Sequence, residues 1–83
     1  MKLEIISPEK TLFSGEVELV TLPGMVGSFT VLDRHAPIVS VLQRGVLLYR
    51  INGKDNRLAI SGGFVEVKNN TLSVCIDSLS DIK

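Results

Sequence analysis

Leu22-Pro23-Gly24-Met25-Val26-Gly27-Ser28-Phe29-Thr30-Val31-Leu32-Asp33-Arg34-His35-Ala36-Pro37 holds two of the chain's three prolines, two of its seven glycines and its only histidine. Pro23 and Gly24 are expected to break the strand that precedes them, because proline has no N–H to give a ladder and glycine admits positive φ. Gly27 then reopens extended structure for Phe29, Val31 and Leu32. Phe29 and Val31 share a face and read as core. His35-Ala36-Pro37 closes that strand, since a residue before proline is pushed out of helical geometry. The stretch reads as strand, turn, strand, turn, with an imidazole at the last turn.

On the N-terminal side, Lys2 to Ser7 is a short apolar strand with Leu3 and Ile5 on one face, and Ser7-Pro8-Glu9-Lys10 is a turn signal. Thr11 to Phe13 resumes extension, Gly15 marks a bulge or bend, and Glu16-Val17-Glu18-Leu19 alternates with period two. Val20 and Leu22 take the opposite parity. That switch predicts that both sides of the strand end are covered, one by the core and one by something outside it.

On the C-terminal side, Ile38 to Arg44 fits no single template, and Gly45 begins Val46 to Ile51, a strand apolar on both faces for most of its length. Asn52 to Asn56 reads as a hairpin loop and Arg57 to Ile60 as the returning strand. Gly62-Gly63 bends the chain into Phe64 to Lys68. Asn69-Asn70 suits a two-residue turn, because asparagine tolerates left-handed φ. Leu72, Val74 and Ile76 then form an inward row, with Cys75 facing away. Asp77 to Lys83 reads as a polar tail.

Seven or eight short strands can be counted this way, with no amphipathic helix and no repeat. Residues 1–83 therefore read as one all-β domain, an antiparallel β-sandwich or flattened barrel. A chain of 83 residues buries only roughly 60–65% of its unfolded surface, so a partner would help it. No apolar run approaches the roughly 18 residues of a membrane span, and Met1 to Glu4 carries no signal-peptide pattern. One cysteine excludes an internal disulfide and fits a reducing setting. Nine basic and nine acidic residues cancel, and no window gathers five or six like charges, so the electrostatic funnel of a nucleic-acid or anionic-lipid binder is missing. Phe13, Phe29, Tyr49 and Phe64 are too few for a base-stacking platform.

Candidate chemistry is sparse. His35 lacks the further ligands that zinc needs and a serine or cysteine nucleophile beside it, so on the residues alone it reads as a ring bonded to a nearby carbonyl rather than a catalytic or metal-binding group. Asp33 and His35 read as turn residues rather than a relay. Gly24 to Gly27 and Ser61 to Gly63 look like phosphate loops only superficially, having no helix after them and no lysine in position. Cys75 reads as a small unreactive filler. No cofactor, metal or small-molecule substrate is expected. Val20, Leu22, Val46 and Leu48 carry the expectation of an apolar outer face, and such patches on small domains mark interfaces. The plainer alternative is a sandwich that covers both faces itself.

The spacing P-x-x-x-G-x-F-x-V-L-x-x-H-A-P over Pro23 to Pro37 resembles the epsilon-subunit family of F-type ATP synthases. Phe13-Ser14-Gly15-Glu16-Val17, Leu42-Gln43-Arg44-Gly45-Val46-Leu47 and Ile60-Ser61-Gly62-Gly63-Phe64-Val65-Glu66-Val67 resemble further family stretches, in family order. The resemblance implies a ten-stranded β-sandwich in the central stalk, so eight to ten strands are expected in all. It implies a non-catalytic rotor part that clamps the gamma subunit and rests on the c-subunit ring, at the cytoplasmic face of the bacterial inner membrane. By the same likeness, Pro23, Gly24, Gly27 and Ser28 face the ring and His35 faces gamma, where Val20, Leu22, Val46 and Leu48 would add the sheet contact. Two positions depart from the family: Arg34 stands where the family often has glycine, and Ser28 is neutral in a loop that is often acidic or polar. Family members commonly continue into a two-helix hairpin that restrains ATP hydrolysis. If the sequence ends naturally at Lys83, no such restraint is expected of it. Two rivals remain, a free-standing module that binds a peptide by edge addition and a small enzyme centred on His35.

Overall fold

Residues that alternate in the sequence alternate in burial, and nine strands result. In the computed structural model, which describes residues 1–80, they are β1 (Lys2–Ile6), β2 (Thr11–Glu16), β3 (Leu19–Gly24), β4 (Gly27–Leu32), β5 (Ile38–Leu42), β6 (Gly45–Ile51), β7 (Lys54–Ile60), β8 (Gly63–Lys68) and β9 (Thr71–Ile76). None of the described residues is helical. The all-β expectation holds, with nine strands inside the expected eight to ten.

Strand order is β2-β1-β9-β8-β5-β3-β6-β7, with β4 paired to β3. β3 is the fork of this sheet. Leu19, Val20 and Thr21 each have one partner on β4 and another on β6, whereas Gly24 pairs with Leu42 of β5. The sheet thus divides along β3 and curls until its inner sides meet as the two layers of a sandwich. Leu3, Ile5, Val20, Leu22, Val31, Leu47, Ile60, Val65, Leu72 and Val74 fill the space between at zero exposure. Burying each such side chain stabilises the fold by roughly 1.5–3 kcal/mol. Among the described residues the interior holds no polar or charged side chain.

Several expectations need correction. Pro23 does not end its strand: β3 runs on to Gly24, with Pro23 opposite Ser28 and Gly24 opposite Gly27, so the turn is Met25-Val26. Proline is tolerated because the ladder passes from β6 to β5 around this point, while the Pro23 carbonyl still accepts from Gln43 N–H at 2.8 Å. The sheet is not wholly antiparallel, since β1 runs parallel to β9; strands from opposite ends of a chain need no hairpin between them. Gly15 sits in regular register opposite Leu3, and the irregularity falls between Ile5 and Ile6. Asn52-Gly53 alone makes the β6–β7 turn, at φ of 49° and 76°, so Lys54 to Asn56 belong to β7. Ile38–Leu42 is a strand. The tail is partly held: Leu79 bridges Ile60 and Ser80 N–H donates to Ala59 O at 3.0 Å. Residues 81–83 of that expected tail lie outside the described residues.

Val20 and Leu22 are the largest correction. Both were expected on an outer face, and both are at 0% exposure. Val17-Glu18 separates β2 from β3, so the parity of Val17 and Leu19 does not carry a face assignment into the new strand.

Candidate partner-binding surfaces

The cross-strand register builds the outer side of the β4-β3-β6-β7 layer. Leu32, Leu19, Arg50 and Asp55 form one row, and Thr30, Thr21, Leu48 and Arg57 the next. Thr21 and Thr30 share a hydroxyl hydrogen bond of 2.8 Å. Val46 lies opposite Ala59 and is 36% exposed. Val46 and Leu48 therefore do stand outside, opposite in direction to Leu47. Arg50 Nε donates to Asp55 Oδ1 at 2.7 Å, and that bond holds the Asp55 carboxyl below its usual range. This face carries Leu32, Leu19, Leu48 and Val46, with the Thr21–Thr30 pair among them and Arg57 and the Arg50–Asp55 ion pair along its margin.

A second outer row went unforeseen. Val41, Phe64, Cys75 and Ile6 lie side by side across β5, β8, β9 and β1, with Val39 beyond them at 72% exposure. On β5 the outward Val39 and Val41 are as apolar as the inward Ile38 and Leu42, so alternation gave no side. Cys75 faces out of the core as expected.

The β3–β4 turn projects from one end of the sandwich. Val26 is fully exposed at 106% and Met25 largely so, while Gln43 Nε2 ties the base of the turn by donating to Gly24 O at 3.0 Å. A Cβ on Gly24 would come within 2.9 Å of the Phe29 ring, so glycine is needed there for close packing. Gly27 has φ +138° and open space around it, so its need is conformational. Of the four residues expected to face a ring, Gly27 and Ser28 are exposed, Pro23 is half-buried and Gly24 is buried. Gly24 shapes the tip and offers no surface. Met25 and Val26, which the sequence reading did not single out, are the side chains this turn exposes.

His35 lies at the other end, in the loop between β4 and β5. Its Nδ1 is 2.7 Å from Ala36 O; a carbonyl only accepts, so Nδ1 carries a proton. Asp33 does not meet the imidazole. Its Oδ1 accepts from Asn70 Nδ2 at 2.8 Å and lies 3.3 Å from the Met1 ammonium. The Asn70 hydrogen bond first, and then the ammonium, hold the Asp33 carboxyl below the usual carboxylate range. Arg34 adopts φ +64°, and its N–H donates to Asn70 Oδ1 at 2.7 Å.

With that geometry in place, the sequence matches the family model described as the ATP synthase, Delta/Epsilon chain, beta-sandwich domain, over residues 1–81. The chain belongs to that family. It is 44% identical over 77 residues to the ATP synthase epsilon chain of Leptospira borgpetersenii, covering 93% of this chain and 61% of that one. The epsilon chain of Desulfitobacterium hafniense is 42% identical over 76 residues, covering 92% and 58%. The chain thus spans about three-fifths of the length of these relatives. The fold superposes on a chain in the Euglena gracilis mitochondrial ATP synthase structure of OSCP/F1/c-ring in rotational state 1. There the TM-score is 0.88 at 24% identity, with 98% of this chain and 54% of that chain covered. A chain of the Tetrahymena thermophila mitochondrial ATP synthase central stalk/c-ring gives 0.82 at 20% identity, covering 96% and 65%. At Arg34 the backbone is left-handed, a region that suits glycine best.

Proposed function

We propose that this domain is a non-catalytic element of the central stalk of an F-type ATP synthase, a rotor part at the cytoplasmic face of a bacterial inner membrane. The observation that carries the reading is the 44% identity to an epsilon chain across 93% of the sequence. Gamma is met by the outer face of β3 and β6 through Val46 and Leu48, with His35 at its end. The c-subunit ring is met by the β3–β4 tip, through Gly27, Ser28, Met25 and Val26, with Pro23 and Gly24 shaping it. No catalytic residue, cofactor or metal enters the assignment. Edge addition of a peptide is the second reading; edge strand β7 presents Lys54, Asp55, Asn56 and Arg57 to solvent and charged edges resist pairing, which leaves β2 and β4 as the edges it would use.

The test is co-purification of the tagged domain from membranes that contain its cognate synthase. Recovery of gamma and c subunits is expected, and recovery of unrelated proteins alone would overturn the assignment. Leu48→Asp should then lower gamma affinity at least tenfold while leaving the melting temperature of the chain nearly unchanged.

A further inference from the structure

The loop that carries His35 has little of its own to hold it. Asp33, Arg34, Ala36 and Pro37 are exposed, and His35 is half-buried. Besides the ring's bond to Ala36 O, the loop's local contacts are His35 N–H to Leu32 O at 3.2 Å and a loose Arg34–Asp33 approach at 3.7 Å. What fixes it comes from far along the chain, from the Met1 ammonium 3.3 Å from Asp33 Oδ1 and from Asn70. The carboxamide of Asn70 bonds two consecutive loop residues, accepting from the Arg34 N–H at 2.7 Å and donating to the Asp33 carboxylate at 2.8 Å. Asn70 can do so because it sits at φ +57° in the two-residue turn with Asn69 at φ +51°, between the paired residues Lys68 and Thr71. A two-residue hairpin turn of that kind is rigid and sets its side chains in fixed directions.

We infer that Asn70 is the positioning residue of the His35 loop, docking it on the β8–β9 turn so that the imidazole is presented in one place. The accepting half of the amide also stabilises the left-handed Arg34, since the N–H it satisfies is that of the residue under strain. A carboxylate in its place could accept from the Arg34 N–H but could not donate to Asp33, whereas the amide does both within the same two residues. The consequence for partner binding rests on the reading of His35 as a gamma contact.

The experiment is amide hydrogen exchange and His35 side-chain NMR on the chain, beside gamma affinity, for three variants. Asn70→Gly suits the left-handed turn and removes both bonds. Asn70→Asp keeps the acceptor but sets a second carboxylate against Asp33. The double exchange Asp33→Asn with Asn70→Asp restores a donor and an acceptor in swapped places. Expected for Asn70→Gly and Asn70→Asp is exchange at the Arg34 amide at least tenfold faster and a shifted His35 resonance, with core amides such as Val65 and Leu72 unchanged. Recovery of both signals in the double variant is expected as well, as is a loss of gamma affinity of roughly threefold to tenfold that follows the same order. Unchanged Arg34 exchange in Asn70→Gly overturns the inference. Release of the loop with gamma affinity unaltered, in these variants and in His35→Ala alike, supports the clamp and overturns only the gamma reading.

Discussion

Arg34 holds a conformation that most side chains avoid, at φ +64°. A left-handed residue other than glycine carries about 1–2 kcal/mol of strain, while replacing it by glycine loosens the unfolded chain by about 0.5–1 kcal/mol. The relief is the larger effect. Arg34→Gly should therefore stabilise the chain by about 0.5 kcal/mol, a rise of roughly 2–4 °C in melting temperature for a domain this size; a fall would show that the side chain does more than the backbone geometry indicates. The neighbouring Asp33 makes a prediction about pH. Its folded pKa lies below the ordinary value of 3.8, first through Asn70 and then through the Met1 ammonium. A depressed carboxylate contributes stability that is present above its unfolded pKa and lost as pH falls through the folded one. Asp55, lowered by Arg50, acts with the same sign. Acid unfolding should thus steepen below about pH 4, and Asp33→Asn should flatten that limb, lowering the melting temperature more at pH 7 than at pH 4. An acid limb that Asp33→Asn leaves as steep as before would count against this assignment.

At the scale of the strand, the same two residues that misled the sequence reading separate core from surface most cleanly. Leu22 is at zero exposure between layers, and a buried leucine cut to alanine loses about 2–5 kcal/mol. The whole domain has only about 4–12 kcal/mol in hand at 0.05–0.15 kcal/mol per residue. Leu22→Ala should leave the chain partly unfolded at 37 °C, and Val20→Asp fully so, whereas Leu48→Asp on the outer row should keep a cooperative melt; circular dichroism against temperature decides it, and equal losses would refute the face assignment. Most strands were legible because inward residues repeat every second position, as in Leu72, Val74 and Ile76. Faces were less legible, for a physical reason. Periodicity gives a phase within one strand only, and Val17-Glu18 resets it before β3. On β5 and β6 both phases are apolar because both outer layers carry an apolar row. Contacts from far along the chain left no local trace: nothing in Asp33-Arg34-His35 announces Asn70, and nothing in Gln43 announces its bond to Gly24 O.

Over the whole molecule, the proposed ring-facing tip and the His35 loop sit at opposite ends of one hairpin, with Leu48 beside its middle, opposite Thr21. β3 has six residues, so its five steps span roughly 17 Å at about 3.4 Å per residue, within a body of 30 × 25 × 24 Å. The tip of Met25 and Val26 is at one end and the His35 loop at the other. Between them β3 is bonded along its length to β4, and on its other edge to β6 and then to β5. A load applied at the tip is therefore spread over both layers of the sandwich and does not meet a single flexible joint. This arrangement predicts a double dissociation. Met25→Asp with Val26→Asp changes only a projecting turn, so the melting temperature should hold and gamma affinity should stay within about twofold, because surface changes away from packed features alter stability by no more than about 0.5 kcal/mol. Proton-driven ATP synthesis in inverted vesicles rebuilt with this variant should nevertheless fall, since two carboxylates would have to be desolvated against the ring. Leu48→Asp should do the reverse at the binding step, releasing the domain from gamma with the tip intact. If the tip variant lost gamma binding as severely as the face variant, the tip and the face would not be separate sites, and the hairpin could not be the strut that joins them.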